Sequence, residues 1–175
     1  MESSAIDLRD VTLIDPYGMI GILEIGEVLR PTTPWKIIYL PRSEEVLRCF
    51  ERMHFFRFAP SYFILEPAVT QIQAKYRRSP DSDVLLEITP TQKSEDIHFI
   101  VGKVRERAHS ILAGHLHHGE EAINDFIVAL SEICKNIIEH SGHRGFVGIQ
   151  KYCFQTTNGN VVNIAVMDTG IGFMD

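Results

Sequence analysis

Apolar positions fall into short runs of four or five residues and into longer stretches recurring every three to four, the pattern of strands interleaved with helices. Val11, Leu13 and Ile14 form an apolar stretch that ends at the turn formers Asp15-Pro16-Tyr17-Gly18. A helical pattern then runs through Leu29 until Pro31 stops it. Lys36 to Leu40 predicts a strand. Ser43 predicts the cap of a second helix, with Glu44 and Glu45 at its positive end and Val46, Leu47, Phe50 and Met53 on one face. The run His54-Phe55-Phe56-Arg57-Phe58 reads as core packing at that helix's end, and Tyr62 to Leu65 as a further strand. Turn formers over residues 77–83 then interrupt the pattern and predict two lobes, 1–78 and 83–175.

In the second lobe, Val84 to Thr89 predicts a strand ending at Pro90. Ile97, Ile100, Val101, Val104, Ala108, Ile111 and Leu112 recur at helical spacing, and another helix follows Gly119. Phe146 to Gln155 and Val161 to Met167 read as two strands joined through Asn158-Gly159, a strong hairpin signal. The expected architecture is α/β of the α+β sandwich type, small sheets covered by helices.

Composition narrows the function classes. At 175 residues, 45% hydrophobic and 23% charged, the chain is long enough for a real core and ordinary in composition. No apolar run reaches the ~18–20 residues of a bilayer span, and the polar, acidic start lacks the form of a signal peptide, so a cytoplasmic protein with no membrane partner is expected. A net charge of -6 opposes a nucleic acid backbone; the best basic run is only Lys75, Arg77 and Arg78, and nucleic acid is excluded as a partner. Cys49, Cys134 and Cys153, odd in number and set among apolar neighbours, read as reduced core thiols.

The helix after Gly119 carries the chemistry. Ile123, Phe126, Ile127, Leu130, Ile133, Cys134, Ile137 and Ile138 fall in one wedge of roughly 140°. Opposite it lies a polar stripe with Asp125, Glu132, Asn136, Glu139 and His140, in which Glu132, Asn136 and His140 stack at steps of four. The stripe itself contains no Lys or Arg, unlike an ordinary solvated face laced with ion pairs. A carboxylate and an amide oxygen one turn apart suit a hard cation such as Mg²⁺. Asp168-Thr169-Gly170-Ile171-Gly172 follows the last strand directly, so its carboxylate projects from a strand end beside two glycines that permit close backbone approach to a ligand. Asp-Thr-Gly also occurs in aspartic proteases, but these need two copies in a β-rich body, and this chain has one. His115, His117 and His118 lack the Cys or acidic partners of a zinc site, and His109 reads as a plain helical histidine rather than a phosphoacceptor.

The order of helix 129–141, two strands and Asp168-Thr169-Gly170-Ile171-Gly172 resembles the GHKL superfamily, the ATP-binding fold of gyrase, the heat-shock chaperone, sensor histidine kinases and mismatch-repair ATPases. With the lead-in strand Leu85-Leu86-Glu87-Ile88-Thr89-Pro90 and the Ser131-Glu132-x-x-x-Asn136-x-x-x-His140 run, the likeness is greatest to its anti-sigma-factor serine kinases and covers roughly residues 83–175. The resemblance implies Mg²⁺ and ATP as cofactors, with Glu132 the general base, Asn136 the metal ligand, Asp168 the acceptor of the adenine amino group, and Gly170 and Gly172 lining the base pocket. It implies a bacterial regulatory protein that binds or phosphorylates a protein partner, such as an anti-sigma antagonist or sigma factor, and admits a homodimer. A non-catalytic interaction module and an ATPase driving a conformational change are the alternatives. Family members continue past this point into a lid, a second Gly-rich box and further strands, whereas three residues follow Gly172 here. A fragment of a longer protein, inactive without the lid, is therefore expected.

Residues 7–18, Asp-Leu-Arg-Asp-Val-Thr-Leu-Ile-Asp-Pro-Tyr-Gly, with the helix, strand and helix that follow to Phe58, resemble a shortened STAS domain, the fold of anti-sigma-factor antagonists. Tyr17 stands where that family often carries a phosphorylatable Ser before the Gly, so the resemblance implies a docking lobe without a serine switch.

Overall fold

A computed structural model of the chain describes residues 4–30, 36–73, 84–108, 119–141, 144–154 and 159–170. The first part comprises β1 (Ser4–Asp7), α1 (Pro16–Val28), β2 (Lys36–Tyr39), α2 (Glu44–Arg52), α3 (Phe55–Phe58), a 3-10 turn (Ala59–Ser61), β3 (Ile64–Glu66) and α4 (Val69–Gln73). The second comprises β4 (Val84–Thr91), α5 (Ser94–Ala108), α6 (Glu120–Asn136), a π turn (Ile137–Ser141), β5 (Gly145–Phe154) and β6 (Gly159–Asp168). The protein is mixed α/β with two small sheets: β1-β2-β3, all parallel, and β4-β5-β6, all antiparallel.

Local chemistry accounts for the helix starts. Asp15 caps α1 by accepting from the Gly18 N–H at 2.8 Å, with Pro16 at the first helical position where its missing N–H is no loss. Ser43 caps α2 through the Val46 N–H, as its spacing predicts. At the other end of α1 the buried Lys36 donates its ammonium to the Gly26 carbonyl at 3.0 Å, a cation at the negative helix terminus.

Several elements differ from the sequence reading. The first strand is Ser4–Asp7, and Val11, Leu13 and Ile14 sit in the irregular segment leading to α1. Residues 59–61 form a 3-10 turn, which delays the third strand to Ile64. Pro90 lies inside β4, not at its end: β4 is an edge strand, where a residue lacking an N–H is tolerated. The register of β4 against β5 also shifts twice between Val84 and Thr89, so strict alternation is lost there. The hairpin pairs in unbroken register from Gly145↔Asp168 to Phe154↔Gly159.

The sheets separate along the break near residue 80, but the cores do not. One cluster joins Met19, Ile20 and Leu23 of α1, Phe50, Phe55 and Phe56 of the next two helices, and Val84, Ile88, Phe146 and Ala165 of the second sheet. Helix α1 packs along β5 and β6, and Ile88 donates its N–H to the Met53 carbonyl at 3.0 Å. Gly148 on the central strand makes this approach feasible: a Cβ there would stand 3.2 Å from Met53 Cε and 3.3 Å from Ile20 Cδ1. The opposite face of the sheet carries a second cluster, in which Leu85, Val147 and Ile149 meet Ile100 and Val104 of α5 and Ile127, Leu130 and Cys134 of α6. Successive residues of β5 thus feed different cores, as the pleat requires. The second sheet is a middle layer, with N-terminal elements on one face and α5 and α6 on the other.

Candidate functional site

Helix α6 begins at Gly119 with Glu120 and Glu121 in its first turn, at the positive end of the dipole. The apolar wedge faces the sheet as its spacing predicts: Ile123, Ile127, Leu130, Cys134 and Ile137 are buried, with Phe126 and Ile138 partly so. Ile133 differs, remaining 42% exposed at the wedge's margin. Burial pushes the Cys134 thiol up to about 11 and the Cys49 thiol up as well, and both are free core thiols.

The polar stripe is solvent-facing, with Asp125, Glu132, Asn136 and Glu139 all exposed. One part of the sequence reading needs correcting. Lys135, three residues on, reaches back to Glu132 with its Nζ 2.5 Å from Oε1, so the carboxylate has a cationic partner after all. A residue one step off a helical stripe is close enough for a long, flexible Lys to bridge the gap. The column of steps of four ends at Asn136, because from Ile137 the backbone takes a π turn, which is wider than an α turn and common at functional sites. No sequence signal predicts that turn.

Asp168 closes β6. It is exposed and accepts from the Gly170 N–H through Oδ1 at 2.7 Å, a local turn that holds the first residues of the Gly motif against the strand end. Gly172 lies outside the described residues, as do His109, His115, His117 and His118.

Gly145 brings helix end and strand end together. It pairs with Asp168 across the hairpin, and a Cβ on it would stand 2.6 Å from the Met167 carbonyl oxygen, 2.9 Å from Ile137 Cγ2 and 3.2 Å from Asp168 Cβ. Only a glycine lets the buried Ile137 settle that close to the strand. Ile137, the residue after Asn136, is thus packed against the strand end that carries Asp168 and Gly170. Glu132 stands about 6 Å further up the helix axis than Asn136 at 1.5 Å per residue. An amide oxygen and carboxylates are donor types that suit a hard cation, which takes few protein ligands and completes its shell with water and phosphate oxygens. Among the described residues no three His, Cys, Asp or Glu side chains group closely enough to hold a metal unaided. No helix among them is long and apolar enough to cross a membrane.

The sequence reading missed Glu24. It lies on α1, only 7% exposed, and neither carboxylate oxygen has a hydrogen-bond partner. Burial first, then the negative charges of Asp168 and Glu27, push it up to about 7, with Arg144 opposing. The available signal was a single carboxylate within Met19-Ile20-Gly21-Ile22-Leu23-Glu24-Ile25, a stretch apolar on all sides.

Comparison of the chain with protein-family models, with curated proteins and with solved structures finds no match in any of the three.

Proposed function

We propose that the second sheet with α5 and α6 is a GHKL-type lobe binding Mg²⁺-ATP, that the first part is a STAS-like docking lobe, and that the protein regulates a protein partner by binding or phosphorylating it. The supporting observation is the packing at Gly145 of Ile137, the residue that follows the polar stripe's Asn136, against the hairpin end that carries Asp168 and Gly170. Nothing in the helical period or in the strand pattern obliges those two ends to meet.

In this reading Asp168 keeps Oδ1 on the Gly170 N–H and turns its other oxygen to the exocyclic amine of the base, a neutral donor read by an anionic acceptor. The side-chain oxygen of Asn136 would hold the metal, with the remaining positions left to water and phosphate. Bound there, Mg²⁺ neutralises charge on the phosphate oxygens. Glu132 takes the proton of the attacking hydroxyl or water, and to do so it must first release Lys135. The same ion pair supports a second reading, in which the lobe binds nucleotide and docks a partner without turnover.

Calorimetry of Mg²⁺-ATP binding tests the site. Asp168→Asn should weaken binding at least tenfold, and Asn136→Ala should weaken it only when Mg²⁺ is present. Glu132→Ala should bind like the parent while phosphate release or partner phosphorylation falls 10²–10⁴-fold, the usual worth of a positioned base, roughly. A parent chain that does not bind Mg²⁺-ATP, or variants at 136 and 168 that bind as the parent does, would refute the reading.

A further inference from the structure

Glu24 belongs to the N-terminal part of the chain yet sits against the strand that ends in Asp168. Helix α1 lies along β6, with Gly21 leaving room for Met167, whose Sδ and Cε lie 3.8 Å from where a Gly21 Cβ would stand. One turn further on, the Glu24 carboxylate is enclosed with both oxygens unpartnered. The charged and titratable groups around it come from every neighbouring element: Asp168 at the end of β6, Arg144 at the entry to β5, Tyr62 after the 3-10 turn, and Glu27 on α1 itself. Of these only Arg144 opposes the charge, and no hydrogen bond joins it to Glu24. Arg144 lies over the Phe146 ring at 4.9 Å, its Nε buried and without an acceptor, and Tyr62 is occupied with Glu27. A buried carboxylate with no partner is costly when ionised and tolerable when neutral.

We propose that Glu24 is a proton-linked regulator of the base-binding carboxylate, through which the N-terminal lobe and pH together set the affinity of the site at Asp168. The proposal rests on the nucleotide reading above for the identity of the ligand. Asp168 accepts most strongly from an amine as the carboxylate, and it is exposed in the free chain, where water weakens its repulsion of Glu24 without abolishing it. A base covering Asp168 removes that water, so the repulsion between the two carboxylates strengthens as the local dielectric falls. Glu24 then holds its proton more tightly in the complex than in the free chain, and by linkage the ligand binds more weakly as Glu24 ionises. Because Glu24 is carried on α1, anything that moves α1 against β6, such as a partner docking on the N-terminal lobe, acts on the same equilibrium.

Two measurements on the full chain test this. In ligand-free protein, a ¹³C titration of the Glu24 side chain should give a midpoint near 7 that drops in Asp168→Asn. A midpoint in the ordinary glutamate range, or one indifferent to that substitution, overturns the coupling. Calorimetry with ADP at pH 6 and pH 8 should show the wild-type Kd rising about threefold more than that of Glu24→Gln, the change expected when binding raises a carboxyl by half a unit. The phosphates of ADP titrate equally in both proteins and cancel in the difference. Equal pH dependence in the two overturns the proposal. Failure of ADP to bind either protein refutes the nucleotide reading, and the carboxyl titration then still decides whether Glu24 and Asp168 are coupled.

Discussion

Among the described residues each face of the second sheet buries one glutamate, and the two are treated in opposite ways. On the α5 and α6 face, Glu87 is 1% exposed and meets two cations from α5, Lys103 at 3.4 Å and Arg107 at 3.0 Å. On the α1 face, Glu24 is nearly as enclosed, but neither of its oxygens has a hydrogen-bond partner and Arg144 opposes its charge only at a distance. The first arrangement fixes a helix on a sheet: the charge is matched, and a shift of α5 along β4 would break the match. The second leaves a charge unmatched between two parts of the chain that come from different ends of the sequence. An unmatched buried carboxylate responds to small changes in its surroundings, whereas a matched one resists them.

Making the two faces alike is the most drastic way to test this contrast. Replacing Lys103 and Arg107 together with Met removes both α5 cations from Glu87 and should destabilise the protein by about 3–5 kcal/mol in urea denaturation, the range found when a buried pair loses one side. Adding Glu87→Leu should restore most of the loss. A double variant as stable as the parent would show that the Glu87 network contributes nothing to holding α5.

A smaller effect of opposite sign is expected on the other face. The Glu24 carboxyl is raised in the folded chain to about 7 from its ordinary 4.5, so the folded state binds more protons than the unfolded one between those values, and stability is shed as pH rises through that window. Glu24→Gln should therefore stabilise the protein at pH 8 by about 1–2 kcal/mol, after allowance for solvent screening, and by close to nothing at pH 4. Thermal melts across that range check the sign, and a variant destabilised at pH 8 would mean that ionised Glu24 has a partner.

The smallest effect belongs to the outer surface of α6. Glu132 is 62% exposed and its bond to Lys135 is an i,i+3 surface pair, so Glu132→Ala should change stability by less than about 0.5 kcal/mol. A large stability loss in chemical denaturation would assign Glu132 to the fold and remove it from the site.

Much of this could be read from the residues, for reasons that differ by element. Helix α6 was legible because its wedge repeats over four turns, and the hairpin because both its strands are strongly patterned; Gly159 already opens the second of them, and Asn158 lies outside the described residues. Asp168 was legible as a carboxylate at a strand end. β1 escaped because four residues, Ser4 to Asp7, carry too little alternation to register. Pro90 misled because a proline ends a strand only where its N–H is needed, and that depends on which strands are edges. The Lys135 contact escaped because a stripe drawn on a wheel ignores the reach of a four-carbon side chain.

The residues by themselves determined the helical and extended segments, their caps, the polar stripe and the Gly motif, since each depends on interactions among neighbours a few positions apart. They did not determine that α1 packs along β5 and β6, that Gly145 lets Ile137 settle against the strand end at Asp168, or that Glu24 is enclosed without a hydrogen-bond partner. The placement of α1 and the enclosure of Glu24 join positions more than a hundred residues apart, such as Gly21 and Met167, whereas the Gly145 corner joins the nearer segments that end in Ile137 and Asp168. An isolated helix that is apolar nearly all round states only that it must be buried; the shape and charge of what surrounds it exist only once both sheets have formed.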